Sequence, residues 1–280
     1  MTMTVPGLFD IHQHFGKLSG FHGLHGRSAT LEEDLAARLA MMDRFGVAAC
    51  ALMPSHSYAA PRGAPDVAAL NDALIDYQQL APDRFPVVAP TVDPRHGRFA
   101  VAEVERVHGR GAKALSWHQR FHGLPMDHPV MFEIVARMDR LGMTAMCHCY
   151  ANGDFESPWR LRRLAEAFPA TAFVALDAMT SPENLEQILA AAEVLPNVYF
   201  DLTTSLLGVD GVRRSLDRLG PTRLVFGTNY YSLGAPERQH DVELLLAATA
   251  GMDEARRLAG GDNARRIFGL LPAADGRSRG

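Results

Sequence analysis

Leu8-Phe9-Asp10-Ile11-His12-Gln13-His14 is the first apolar run of the chain, and it ends on two histidines. Side chains alternate along a strand, so His12 and His14 point the same way. Two imidazoles at a strand end are half of a metal site. Downstream the same pattern returns: an apolar run stops at a polar residue and an amphipathic stretch follows. Candidate strands cover residues 8–12, 47–53, 86–90, 112–116, 144–148, 172–177, 198–202 and 223–227. Several are rich in Val, Ala, Leu and Phe with little alternation, as in strands buried on both faces.

Helical patterns lie between them. Thr30-Leu31-Glu32-Glu33 is a capping box that opens a helix running to about Phe45, and Gly46 stops it. Pro129, Pro158 and Pro182 sit where a first helical turn tolerates proline. Eight alternating strand–helix units in one compositional regime predict a single-domain α/β fold, a (β/α)8 TIM barrel over residues 1–271, with 272–280 a flexible C-terminal tail. An open doubly wound sheet is the alternative. It lacks support because no Gly-rich phosphate loop follows any strand.

Composition narrows the function. The 280 residues are 47% hydrophobic and 21% charged, enough for a large core, and the net charge of −4 with scattered basic residues argues against a nucleic-acid partner. No apolar run approaches a membrane span, and the first residues carry no signal-peptide core, so a cytoplasmic protein is expected. Three irregularly spaced cysteines read as reduced, buried thiols. Cys147 and Cys149 flank His148 and should point away from whatever it faces. As a zinc pair they lack a second cysteine pair.

A barrel carries its active site at the C-terminal strand ends. Those ends hold His12 and His14, Pro54 to His56, Pro90 to Asp93, Ser116 to His118, His148, Asp177, Asp201 to Thr203, and Thr228-Asn229. Strands 1, 5 and 6 stop on potential metal ligands. His12, His14 and His148 supply three nitrogens and Asp177 a carboxylate, a set suited to one divalent metal: zinc first, iron or manganese as alternatives. His118 and His56 are candidate substrate contacts. Trp117, Phe121, Trp159, Tyr230 and Tyr231 fall just past strand ends and are candidates to line an aromatic pocket. His22 and His25 lie in a Gly-rich loop, 20–26, expected over the barrel mouth.

With these residues in view, the chain resembles the amidohydrolase superfamily, in particular its group of metal-dependent hydrolases and decarboxylases. Asp10-Ile11-His12-Gln13-His14 is similar to its strand 1 signature, and Gly111-Ala112-Lys113-Ala114-Leu115-Ser116-Trp117-His118 to its strand 4 segment. Cys147-His148 resembles its strand 5 histidine, and 197–201 and 223–227 its strands 7 and 8. Asn263-Ala264-Arg265-Arg266-Ile267-Phe268-Gly269-Leu270 resembles its closing helix. Two positions depart. Asp177 stands where the family usually has histidine. Asn229, in Gly227-Thr228-Asn229-Tyr230, stands where the family has the aspartate that binds metal and takes a proton from water. Asparagine cannot act as that base. The exchange keeps the number of carboxylates, so Asp177 is expected as ligand, base or both, and Asn229 as a substrate contact. Ser116 in place of the strand 4 lysine excludes a lysine-bridged two-metal site.

The resemblance implies a metal enzyme acting on a small molecule. The first expectation is hydrolysis of an amide, ester or lactone, with non-oxidative decarboxylation of a small organic acid as its close variant. A mono- or di-iron non-haem oxygenase on the same scaffold, and an inactive ligand-binding barrel, are the alternatives. A homodimer is implied by the resemblance alone.

Overall fold

Eight parallel strands alternate with helices in the computed structural model, which describes residues 7–16, 30–55, 60–150, 153–203, 205–230 and 239–271. The strands are β1 (Leu8–Phe15), β2 (Val47–Pro54), β3 (Val87–Val88), β4 (Ala114–Trp117), β5 (Thr144–His148), β6 (Phe173–Leu176), β7 (Val198–Asp201) and β8 (Leu224–Val225). They pair in parallel as β1-β2-β3 and β4-β5-β6-β7-β8. Backbone bonds join the two runs into a ring. Ser116 N donates to Pro90 O (2.8 Å) between β3 and β4, while Ile11 N donates to Phe226 O and His14 N to Tyr230 O (3.0 Å each) between β8 and β1. Closure leaves no sheet edge, as the alternating sequence pattern requires of a barrel.

Outside the strands run α1 (Leu31–Phe45), α2 (Ala64–Gln78), α3 (Arg98–Gly109), the short α4 (Gln119–His122), α5 (Pro129–Arg140), α6 (Pro158–Ala167), α7 (Pro182–Val194), α8 (Gly208–Leu219) and α9 (Gln239–Ala248). The expected punctuation holds. Thr30 Oγ1 accepts from Glu33 N (3.2 Å) to cap α1, which ends at Gly46 with φ 75°. Pro129, Pro158 and Pro182 open α5, α6 and α7. β3 is shorter than expected because Pro86 and Pro90 flank it and can give no ladder N–H.

Two hydrophobic layers result. Inside the ring, Phe9, Ile11, Met53, Met146, Val174 and Val225 pack with Phe268. α10 (Asp253–Arg257), a π-helical turn (Leu258–Asp262) and α11 (Asn263–Ile267) close the bottom. Phe268 meets Phe9 near the start of β1 (centroids 6.0 Å), and Ile267 O accepts from Thr144 Oγ1 at the start of β5. The opposite, C-terminal end is left for a site. Between strands and helices lies the larger outer core, which takes Cys147 and Cys149, as expected of residues flanking His148. All three cysteines are buried and free of disulfides. Among the described residues no helix is long and apolar enough to cross a membrane. His56, Tyr231, the 20–26 loop and the 272–280 tail lie outside the described residues.

Candidate metal centre

Strict alternation would set His12 and His14 opposite Phe9 and Ile11. β1 avoids this with a bulge. Asp10 is paired with Cys50 and Gln13 with Leu52, so β1 carries one residue more than β2 across that interval. Phe9 and Ile11 face the barrel interior before the bulge, and His12 and His14 turn to the site after it. Asp10 clamps the kink. Its buried carboxylate accepts from His12 N (2.9 Å), Gln13 Nε2 (2.8 Å), Thr228 N (3.0 Å) and Thr228 Oγ1 (2.6 Å). Its role is to shape β1 and tie it to the end of β8. Burial raises its pKa, and these bonds oppose the rise.

His12, His14 and His148 form a buried cluster whose candidate ligand atoms all lie within 4.8 Å of one another. The Nδ1 atoms reveal the protonation pattern. His14 Nδ1 bonds Pro54 O (3.0 Å) and His148 Nδ1 bonds Trp117 O (3.1 Å). A carbonyl only accepts, so both Nδ1 atoms carry hydrogen and a neutral ring leaves a lone pair on Nε2. His12 Nδ1 bonds Asp201 Oδ2 (2.8 Å). A carbonyl or carboxylate behind each imidazole is the usual support of a metal-bound histidine. His12 Nε2 and His14 Nε2 are 3.1 Å apart. At that distance one nitrogen can share a hydrogen with the other or both can coordinate one ion, and three converging imidazoles fit a divalent metal. Burial, with His12 beside it, holds His14 well below the usual histidine range.

Behind the triad, Asp201 joins two parts of the site. Oδ2 meets His12, while Oδ1 accepts from Asp177 N (2.8 Å). Burial pushes the Asp201 carboxyl up to about 8. Asp177 follows β6 in left-handed backbone (φ 58°) and its Oδ1 accepts from Asn229 Nδ2 (3.3 Å). Asp177 thus stands beside the triad through Asp201, and the 4.8 Å grouping comprises the histidines alone. Arg38, fully buried on α1, braces the other side by donating to His14 O (2.8 Å) and Gln13 Oε1 (2.9 Å).

The other sequence candidates divide. His118 reaches the site, its ring stacked on His148 (4.3 Å, 6°). Trp117 does not line a pocket. β4 alternation sends its ring into the outer core, and only its carbonyl serves the site. Tyr230 is also an outer-core residue: its backbone pairs with Gln13, and its ring lies under the Arg38 guanidinium (4.9 Å). Trp159 is half exposed on α6. Sequence reasoning lists Asp201 at a strand end without a role and misses Arg38 and Glu156. For Asp201 the signal is a carboxylate at an inward β7 position; for the other two no local signal exists.

The amidohydrolase family model matches residues 9–270, and the chain belongs to that family. Solved structures share the barrel. The 2,6-dihydroxybenzoate decarboxylase from Rhizobium is 16% identical, with 95% of this chain and 99% of that one covered at a TM-score of 0.74. The 5-carboxyvanillate decarboxylase from Sphingomonas paucimobilis is 17% identical (94% and 99%, TM-score 0.69). A dihydroxybenzoic acid decarboxylase from Polaromonas, with bound manganese and the inhibitor 2-nitroresorcinol, is 15% identical (96% and 98%, TM-score 0.71). At these identities the likeness is one of fold. Among curated proteins no match was found.

Proposed function

We propose that this protein is a metal-dependent decarboxylase of a hydroxylated ring acid, with Asp177 as its proton-transfer group. The observation that carries the reading is the amide of Asn229 held against the Asp177 carboxylate. Hydrolysis needs a base on the attacking water, and the position after β8 supplies none. Removing CO2 from a ring needs a proton delivered to carbon, which one buried carboxylate can provide. The decarboxylases that share the barrel are consistent with this chemistry.

His12, His14 and His148 hold the metal in this reading, with zinc or manganese suited to nitrogen donors and an open position. When bound, the metal supplies Lewis acidity that draws electron density from substrate oxygens. In this reading Asp177 is the acid: its Oδ1 accepts from Asn229 and its carboxyl carries the proton to be delivered. That proton passes to the ring carbon bearing the carboxylate, the carbon–carbon bond breaks with its electron pair returning to the ring, and CO2 leaves. Asp177 then regains a proton from solvent. Asp201, through the Asp177 N–H, keeps the turn after β6 aimed at the same spot.

The test is turnover of metal-loaded protein on hydroxybenzoates alongside esters and lactones. CO2 release, with one deuterium at the vacated carbon in heavy water, is the expected result. Asp177→Asn should cut the rate by about 10²–10⁴-fold while metal content is retained. Ester or lactone cleavage without CO2 release would overturn decarboxylation and return Asp177 to the role of a base. Oxygen uptake with bound iron would point to the oxygenase alternative, which finds no support among these relatives.

A further inference from the structure

A second carboxylate–histidine pair stands at the mouth of the site. His118 lies between β4 and α4. Its Nδ1 bonds Glu156 Oε1 in a short contact, and the same oxygen accepts from Arg120 N (2.8 Å). Glu156 is fully buried in the 3-10 turn Asp154–Glu156 after β5. Burying a carboxylate costs several kcal/mol unless it is paired, and these two donors, both on Oε1, offset part of that cost. The ring they hold lies parallel to the His148 ring, with Phe121 edge-on to it (4.7 Å, 87°). The last residue of β4 and the one after it therefore serve His148: the Trp117 carbonyl takes its Nδ1–H, and the His118 ring covers its face. The triad histidines are buried, whereas His118 is half-buried.

We propose that His118 is a substrate-contacting residue whose Nε2 hydrogen-bonds a ring hydroxyl of the substrate, and that Glu156 is the positioning residue that sets its tautomer and orientation. A carboxylate accepting from Nδ1 fixes the tautomer whose acceptor nitrogen is Nε2, the arrangement that orients a histidine toward a reacting partner. Phe121 and the stacked imidazoles offer flat apolar faces suited to a planar ring. The inference rests on the ring-acid reading above and names the substrate group that His118 meets.

The experiment is calorimetric titration of metal-loaded protein with 2-nitroresorcinol, a planar phenol, using wild type, His118→Gln, Glu156→Gln and Glu156→Asp. Metal content and thermal midpoint are recorded for each. Binding to wild type that weakens tenfold or more in His118→Gln and Glu156→Gln, with partial recovery in Glu156→Asp and full metal occupancy throughout, is expected. Equal affinity in wild type and His118→Gln would overturn the dyad while leaving the ring-acid reading in place. Loss of metal in these variants would also overturn it, since the pair would then be metal support. If Glu156→Gln fails to fold, His118→Gln decides alone. No binding to metal-loaded wild type would overturn both the inference and the reading beneath it.

Discussion

Asn229 Nδ2 donates to Asp177 Oδ1 across the barrel mouth, and these two are the non-glycine residues with left-handed backbone among the described residues, at φ 51° and 58°. Asparagine and aspartate tolerate that region best, yet even for them it is uncommon, and such residues gather where function fixes the backbone. Asp177 directly follows the inward Leu176 of β6, so strict alternation would send its side chain to the outer core, and the left-handed turn re-aims it. Asn229→Asp places a second buried carboxylate against Asp177. Metal-free Asn229→Asp should lose on the order of 3 kcal/mol at pH 8, and less toward pH 5 as one carboxyl takes a proton. Denaturant melts at the two pH values check this; an unchanged midpoint at pH 8 would mean the side chains do not face each other.

Asp201 holds His12 by its Nδ1. Asp201→Asn keeps the shape and replaces the carboxyl behind His12 with an amide that cannot ionise when a cation binds beside it. Metal affinity should fall about 10–100-fold. Competition with a chromophoric chelator measures it, and His148→Ala, which removes a ligand outright, should leave no bound metal at the same concentration.

Gly227 lies where β8 approaches β1. A Cβ there would fall 2.3 Å from Thr203 Oγ1 and 2.9 Å from His12 Cβ. Both neighbours are fully buried, so something must shift. Gly227→Ala should destabilise the protein by about 1–3 kcal/mol and weaken metal binding as His12 moves. Urea unfolding with and without metal separates the two effects. A variant as stable and as metal-tight as wild type would show that the strands yield there.

His122, buried on α4, is pushed down to about 4, chiefly by burial, with Asp93 opposing. Its folded pKa lies below the unfolded value of about 6.5, so the fold favours the neutral ring. The resulting stability is complete above pH 6.5 and is lost as pH falls from 6.5 toward 4, by about 3 kcal/mol across that window. His122→Gln should flatten the slope of unfolding free energy between pH 6.5 and 4. Its persistence in the variant would assign the acid sensitivity to other groups.

Much of this architecture was legible in the residues themselves. Apolar runs without alternation, capping Thr30, stopping Gly46 and the helix-opening prolines are local signals, and each element they mark is present. Because a barrel displays its strand ends at one mouth, His12, His14 and His148 could be named together from sequence. The remainder depends on contacts between distant residues. The Asp10–Thr228 bond spans 218 positions, and it joins the β1 bulge to the end of β8. Glu156 finds His118 across a loop, and Asp201 finds His12 across the ring. Trp117 and Tyr230, which sequence position alone makes pocket candidates, turn into the outer core because strand alternation and the Arg38 contact direct them there. Periodicity and caps report what a segment does to its own backbone, so the chain by itself determined a barrel and the three histidines that could hold a metal at its mouth. Which groups stand behind those histidines was decided only in the tertiary structure, because it depends on ring closure, bulge geometry and burial, to which no single segment holds the key.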